Sequence, residues 1–278
     1  MIYRLLVQLH GMGDPFLQIN KTNLSSDQCD WIEEQDSLKR RVVVEDDFTW
    51  SISLEESVKG EKLRYVGGVD LSFSKDDPCM ACGALVILDL DSLDVVHDDF
   101  SVVQLQVPYI PGFLAFREAP VLLGLLEKMK RDSHPFYPQL LMVDGNGLLH
   151  PRGCGLACHL GVMANLPTIG IGKNLHHVDG LTQSGVKQLL EAKENCAKDL
   201  ITLIGNSGRI WGAAMRSTQG SSKPIFISIG HRISLNAAVK IVKMCCKYRV
   251  PEPIRQADIR SKRYLQNHSE IIKTMRVQ

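Results

Sequence analysis

The chain has almost no excess charge: 32 Lys and Arg stand against 31 Asp and Glu, a net +1 over 278 residues. That excludes a protein-wide field able to draw in a polyanion, so any nucleic-acid surface has to be local. Long apolar runs are also missing. Charges interrupt them well before the roughly 18 residues that a membrane span needs. Met1 to His10 offers no long apolar stretch and no small-residue cleavage site before Gly11, Gly13 and Pro15. Neither a secretory signal nor a membrane partner is expected.

A second C-x-x-C is lacking as well. Cys79 and Cys82 form one, but Cys154 with Cys158, and adjacent Cys245 and Cys246, do not complete a zinc site. A chain that is 44% hydrophobic and this long can bury a core without disulfide staples. Its eight cysteines are therefore expected as free, buried or half-buried thiols in a reducing compartment. Nucleotide-cofactor motifs are incomplete: Gly170-Ile171-Gly172-Lys173 lacks P-loop spacing, and His150 stands where Gly145-Asn146-Gly147 would need its third glycine.

What is present reads as a mixed α/β domain. Ser25 to Val42 has a capping box, Ser25 with Gln28, and a stripe of Trp31, Ile32 and Leu38. Residues 45–60 are acidic and mixed, as suits a connection. Three extended runs follow, Leu63–Phe73, Ala81–Leu90 and Val95–Val107, spaced like a meander. Phe113–Lys130 has helical spacing, with Pro120 as a blemish. Next come a strand Leu140–Val143 ending on Asp144, a helix Gly155–Asn165 and a strand Thr168–Ile171. Strands near Trp211–Arg216 and Ile225–Ile229 and a helix Leu235–Tyr248 complete the pattern. Without repeats or low-complexity tracts, one domain over 25–265 is expected, between a poorly ordered leader (1–24) and a C-terminal tail (266–278).

Two carboxylates end apolar strands. Asp70 follows Tyr65 to Val69, and Asp144 follows Leu140 to Val143 and precedes a glycine-rich turn. A lone buried carboxylate is costly unless paired or bound to a cation. Strand ends with such turns are where open α/β sheets place ligands. Mg²⁺ would relieve repulsion between two such groups, since it takes oxygen ligands and leaves positions for water and phosphate. Glu118 and Asp258 are further candidates. By residue type alone Asp70 and Asp144 serve equally as turn or capping residues, Glu118 as an exposed helix residue, and Asp258 as a helix cap.

Pro108-Tyr109-Ile110-Pro111-Gly112 is a stiffened loop that can wedge apolar side chains into a base step; the competing reading is a buried loop aromatic. The run Asp144 to Gly153 can line a tight pocket for a flat base through the backbone groups of its glycines, with His150 orienting a phosphate or water, or serving as an ordinary loop residue.

Several runs together resemble one family, endonuclease V. They are Val66–Phe73 (VGGVDLSF), Pro108–Glu118 (PYIPGFLAFRE), Val143–Gly153 (VDGNGLLHPRG), Gly170–Lys173 (GIGK), Gly230-His231-Arg232 and Pro251–Asp258 (PEPIRQAD). Trp31, Glu34-Gln35 and Leu38 resemble the family's first helix, so the likeness covers residues 28–265 in order. It implies a ribonuclease H-like mixed sheet flanked by helices. Asp70, Glu118 and Asp144 would hold Mg²⁺, with Mn²⁺ able to substitute. Asp258 would complete the acidic site and Lys173 would face the phosphate. Tyr109 and Ile110 would form the wedge, Gly112, Gly145 and Leu148 would line the inosine pocket, and His150 would be a further substrate-binding residue. The implied reaction cuts the second phosphodiester 3′ to inosine and leaves 3′-hydroxyl and 5′-phosphate ends.

The cysteine-rich Met244–Tyr248 stretch looks like an animal member, which implies inosine-containing single-stranded RNA as substrate, a monomer, and a cytoplasmic and nuclear location that can include the nucleolus. Two readings stand beside it. One is a DNA repair endonuclease acting at deoxyinosine; the other is a non-catalytic inosine-binding module, marked by loss of an acidic ligand, and none is missing here.

Overall fold

In the computed structural model residues 26–52, 61–75, 77–192, 199–218, 221 and 223–268 are described. The expected leader, and Ser25 of the capping box, lie outside them. The chain enters through a helix, α1 (Ser26–Arg40), and then lays down β1 (Tyr65–Phe73), β2 (Met80–Asp89) and β3 (Val95–Gln104) as an antiparallel meander. Helices and strands then alternate as α2 (Leu114–Arg131), β4 (Leu140–Asp144), α3 (Leu156–Ala164) and β5 (Thr168–Gly172). The C-terminal part contains α4 (Gln183–Ala192), β6 (Leu200–Ile204), β7 (Ile210–Met215), β8 (Ile225–His231), α5 (Leu235–Met244) and α6 (Glu252–Asn267). All eight strands join one mixed sheet in the order β3-β2-β1-β4-β5-β8-β7-β6, with β1, β4 and β5 parallel. This is the single α/β domain, a mixed sheet between helices, that the sequence implied.

The two-residue period of β4 shows how the layers form. Leu141 and Val143 pack with α2 and α3 through Leu122, Leu126, Leu156 and Leu160. Leu140 and Met142 face the other way, into Ala238, Ile241, Val242 and Ile254 from α5 and α6. Covered on both faces, β2 is buried from Met80 to Leu88, which is why it reads as a continuous apolar run rather than an alternating one. A third apolar cluster seats α4 over β6 to β8, with Val186 and Leu190 against Leu203, Trp211 and Phe226.

Several sequence-based boundaries shift. The first strand begins at Tyr65, the third ends at Gln104, and α5 stops at Met244, with Cys245 as its cap. Three elements were not anticipated: α4, β6 and α6. The last runs to Asn267, so residues 266 and 267 are helical. The acidic connection is no loose linker where it is described. Trp50 is buried in the core and stacked on Phe48, while Asp46 accepts from both the backbone N–H and the hydroxyl of Ser234, the cap of α5. Seven cysteines are described and all are free; five are buried or half-buried, whereas Cys29 and Cys79 face solvent. Among the described residues no helix is long and apolar enough to cross a membrane.

Candidate active site

Asp70 sits two-thirds along β1, between Val69 and Leu71, opposite Ala84 of β2. Asp144 ends the neighbouring strand β4, level with Ile171 of β5. Lys173 lies two residues past Ile171, hence on the same side of the sheet. Its Nζ reaches Asp144 Oδ2 at 2.5 Å. Glu118, in the second turn of α2, is buried rather than exposed.

Asp258 is delivered by α6, which crosses β1 at very close range: a Cβ on Gly68 would lie 2.1 Å from the Pro253 carbonyl oxygen. One turn beyond Asp258, Ser261 meets Ser72 of β1, with their hydroxyls 2.7 Å apart, and Ser72 donates to Asp70 Oδ2 at 3.3 Å. This serine pair ties helix to strand beside the acids, and sequence reading missed it because isolated serines have no periodic signature.

Electrostatics identify these groups as one centre. Burial first, and then the charges of Asp144 and Asp258, push the Asp70 carboxyl up to about 7, with Lys173 opposing them. Glu118 rises to about 8, again through burial first and then the Asp70 charge. Burial works against the Lys173 ammonium, but Asp144, Asp70 and Asp258 outweigh it and hold the lysine above its usual value. Among the described residues, Lys173 on Asp144 and Lys262, 2.6 Å from Asp258 Oδ1, are the two ammoniums paired with this set of four carboxyls. Its donors are all oxygens, which fits a hard divalent cation such as Mg²⁺. The side chains do not form a closed cage: among the described residues no three acidic, histidine or cysteine groups converge as a ready ligand set, and Asp144 leans on Lys173.

The proline-flanked loop leads into α2, the helix that carries Glu118, with its two apolar residues divided. Tyr109 is 60% exposed, against the buried-aromatic reading, while Ile110 packs on Trp31, Phe113 and Phe116. Gln35 of α1 is buried and braces the region. Its amide donates to the carbonyls of Gly112, at 3.2 Å, and Cys154, at 2.7 Å, while its oxygen accepts from the Arg152 guanidinium. Thus α1 joins the wedge loop to the loop after β4, a role that Gln35 does not announce in sequence.

That second loop is laid flat on its neighbours. A Cβ on Gly147 would lie 2.0 Å from Ile229 O, and the Gly147 N–H donates to Ser228 Oγ at 2.9 Å. Gly145 bonds back to Ile171, and Leu148 is buried beside Leu38. His150 is buried too. Burial, followed by the neighbouring His176 and His159, pushes it down to about 3, and its Nδ1 accepts from the Arg152 N–H. A neutral ring serves as a prop for this loop or a neutral hydrogen-bonding group, not as a cation for phosphate.

Comparison with known proteins gives a consistent match. A family model described as Endonuclease V matches residues 46–259. Mouse endonuclease V is 47% identical over 235 residues, 84% of this chain and 68% of the mouse protein. The human protein is 44% identical over 235 residues, 84% of this chain and 82% of its own length. The crystal structure of human ENDOV superposes with a TM-score of 0.79 at 42% identity, covering 87% of this chain and 99% of that one. That of Ciona intestinalis endonuclease V, in complex with a 23mer DNA containing an inosine followed by a ribo-adenosine, also gives 0.79, at 33% identity over 88% of this chain and 99% of the other.

Proposed function

This chain belongs to the endonuclease V family, whose members are nucleases acting on phosphodiester bonds, and on that footing we propose that it cuts nucleic acid beside inosine. In this reading the preferred substrate is single-stranded RNA, the bond is the second phosphodiester on the 3′ side, and the products carry 3′-hydroxyl and 5′-phosphate ends. The observation that carries it is the electrostatic coupling of Asp70 to Glu118, Asp144 and Asp258, with Lys173 paired to Asp144. The RNA preference is supported by higher identity to the mouse protein, 47%, than to a bacterial relative from Dictyoglomus turgidum, 37%. The ribo-adenosine beside the inosine in the Ciona complex points the same way.

Asp70, Asp144 and Glu118 would hold Mg²⁺, or Mn²⁺ in its place; when bound, the ion supplies polarisation of the phosphoryl oxygens and a water of lowered pKa. The chain does the rest by positioning. Lys173 offsets charge that develops on the phosphate, because its ammonium is already pinned at the mouth of the acidic site. Tyr109 stacks in the space that the extruded inosine leaves, and Gly112, Gly145 and Leu148 line the base pocket. A pocket too tight for an exocyclic amino group discriminates against guanosine and adenosine.

The test is cleavage of matched single-stranded oligonucleotides carrying inosine, deoxyinosine or adenosine, with Mg²⁺ present and the product ends mapped. Cutting of the inosine RNA at the stated bond, ahead of the deoxyinosine strand, is expected. Equal cutting of the adenosine control would overturn the inosine assignment, and faster cutting of deoxyinosine DNA would overturn the RNA preference.

A further inference from the structure

A cleft of about 270 Å³ shares Lys173 with the acidic centre. Four cations line it, Lys173, Lys187, Lys223 and Arg249, and no carboxylate does. They come from four separate segments: the end of β5, α4, the β7–β8 turn and the α5–α6 link. Arg249 brings three of these together. Its Nη2 donates to the carbonyls of Lys173 and Pro224, each at 3.0 Å, and its Nε donates to that of Lys223 at 3.1 Å. Because the guanidinium bonds to neutral carbonyls, its positive charge is not cancelled. Lys187 has one ion pair, an exposed contact at 3.7 Å with Glu191, of the kind that contributes little. Lys223 has no acidic partner among the described residues.

Strand order fixes where this cleft lies. The wedge loop follows β3 on one flank of the acidic centre. On the other, Gly172 of β5 pairs with Phe226 of β8, which sets Lys173 and the start of β8 at the same edge. A strand whose base is held near Tyr109 and whose phosphate lies at Asp70 and Asp144 therefore leaves over the cleft.

We infer that this cleft binds the sugar-phosphate backbone of the substrate beyond the scissile phosphate, with Lys187 and Lys223 contacting phosphates over a floor stapled by Arg249. The inference rests on the nucleic-acid reading above and adds a second binding region to it. Cations on separate segments of an open cleft suit an extended polyanion better than a compact ion.

The experiment compares the wild type with Lys187→Ala/Lys223→Ala in fluorescence anisotropy over a salt series. The probes are a labelled inosine RNA that extends well past the inosine on both sides, and two shorter strands truncated close to the scissile bond on one side or the other. On the full strand the variant should bind about three- to tenfold more weakly, and its salt slope should flatten by about 0.7 for each phosphate that the missing lysines no longer neutralise. One truncated strand should show no difference between the proteins, while the other keeps the full effect. Melting temperature and cleavage rate at saturating RNA should not change. Identical affinity and salt slope on the full strand would overturn the cleft assignment, as would equal losses on both truncated strands. If the wild type neither binds nor cuts any inosine strand, the functional reading fails and this inference fails with it.

Discussion

Gly68 and Pro253 stand 185 residues apart in sequence, yet the Pro253 carbonyl oxygen is 2.1 Å from the point where a Cβ on Gly68 would be. Only glycine lets the start of α6 settle on β1, and this close approach is what carries Asp258 to the acidic centre. Because the obstacle is backbone, it cannot swing aside as a side chain would. Gly68→Ala should therefore cost at least the ~1–3 kcal/mol typical of overpacking, or about 2–12 °C in melting temperature. Cleavage should fall further than the stability loss explains, since Asp258 moves with the helix. A variant that melts and cuts like wild type would show that the close seating of α6 is not needed.

Asp70 should separate fold from chemistry. Its buried carboxyl is repelled by Asp144 and Asp258, so Asp70→Asn should melt at or above the wild-type temperature in chelator while cleavage disappears. Added Mg²⁺ should stabilise the wild type by mass action and leave the variant unmoved. Thermal melts with and without Mg²⁺ read both effects; an equal Mg²⁺ response in the two proteins would remove Asp70 from the ligand set.

The exposed ring of Tyr109 predicts a purely functional loss. Tyr109→Ala should give up stacking worth roughly 1–3 kcal/mol, about 5- to 150-fold in affinity or rate, with the melting temperature unchanged. The defect should be larger on paired than on unpaired inosine, since extrusion then costs more. Equal losses on both substrates together with a drop in melting temperature would place the ring in a structural role.

His231 should make part of the fold sensitive to acid. It is buried, accepts from the Val43 N–H at 3.2 Å, and is pushed down to about 4 by burial first and then by Arg232. Between the unfolded value of about 6.5 and this folded value, the unfolded chain binds the extra proton. Its contribution is therefore complete above about 6.5 and is lost as the pH falls through about 4. His231→Asn keeps an acceptor for Val43, so its melting temperature should fall less than that of wild type over that range. The readout is the difference between the two curves, because buried carboxyls act on both proteins with the opposite sign. Parallel curves would mean that His231 titrates normally in the fold.

Much of this was legible in the sequence because it depends on local pattern. The run of β2 and the alternating faces of β4 follow from burial on one or both sides, and Asp70 and Asp144 are conspicuous because a carboxylate in an apolar strand needs a reason to be there, although Asp70 lies inside β1 and only Asp144 ends its strand. The resemblance of several ordered motifs supplied roles for Glu118, Lys173 and Asp258, which residue type alone left open. The missed elements lack such a pattern. α6 is polar along most of its length and touches the sheet through small residues such as Ala257 and Ser261, so it has no broad apolar stripe to find. β6 is an edge strand of five residues with only Ile201 and Leu203 facing inward. Only the tertiary structure could show that Glu118 is buried, that Tyr109 is not, and that Gln35, Ser261 and Arg249 hold the site's separate segments together. Those facts depend on which distant segments come within hydrogen-bond reach, and a hydrogen bond between residues more than 70 positions apart leaves no spacing in the chain to be read.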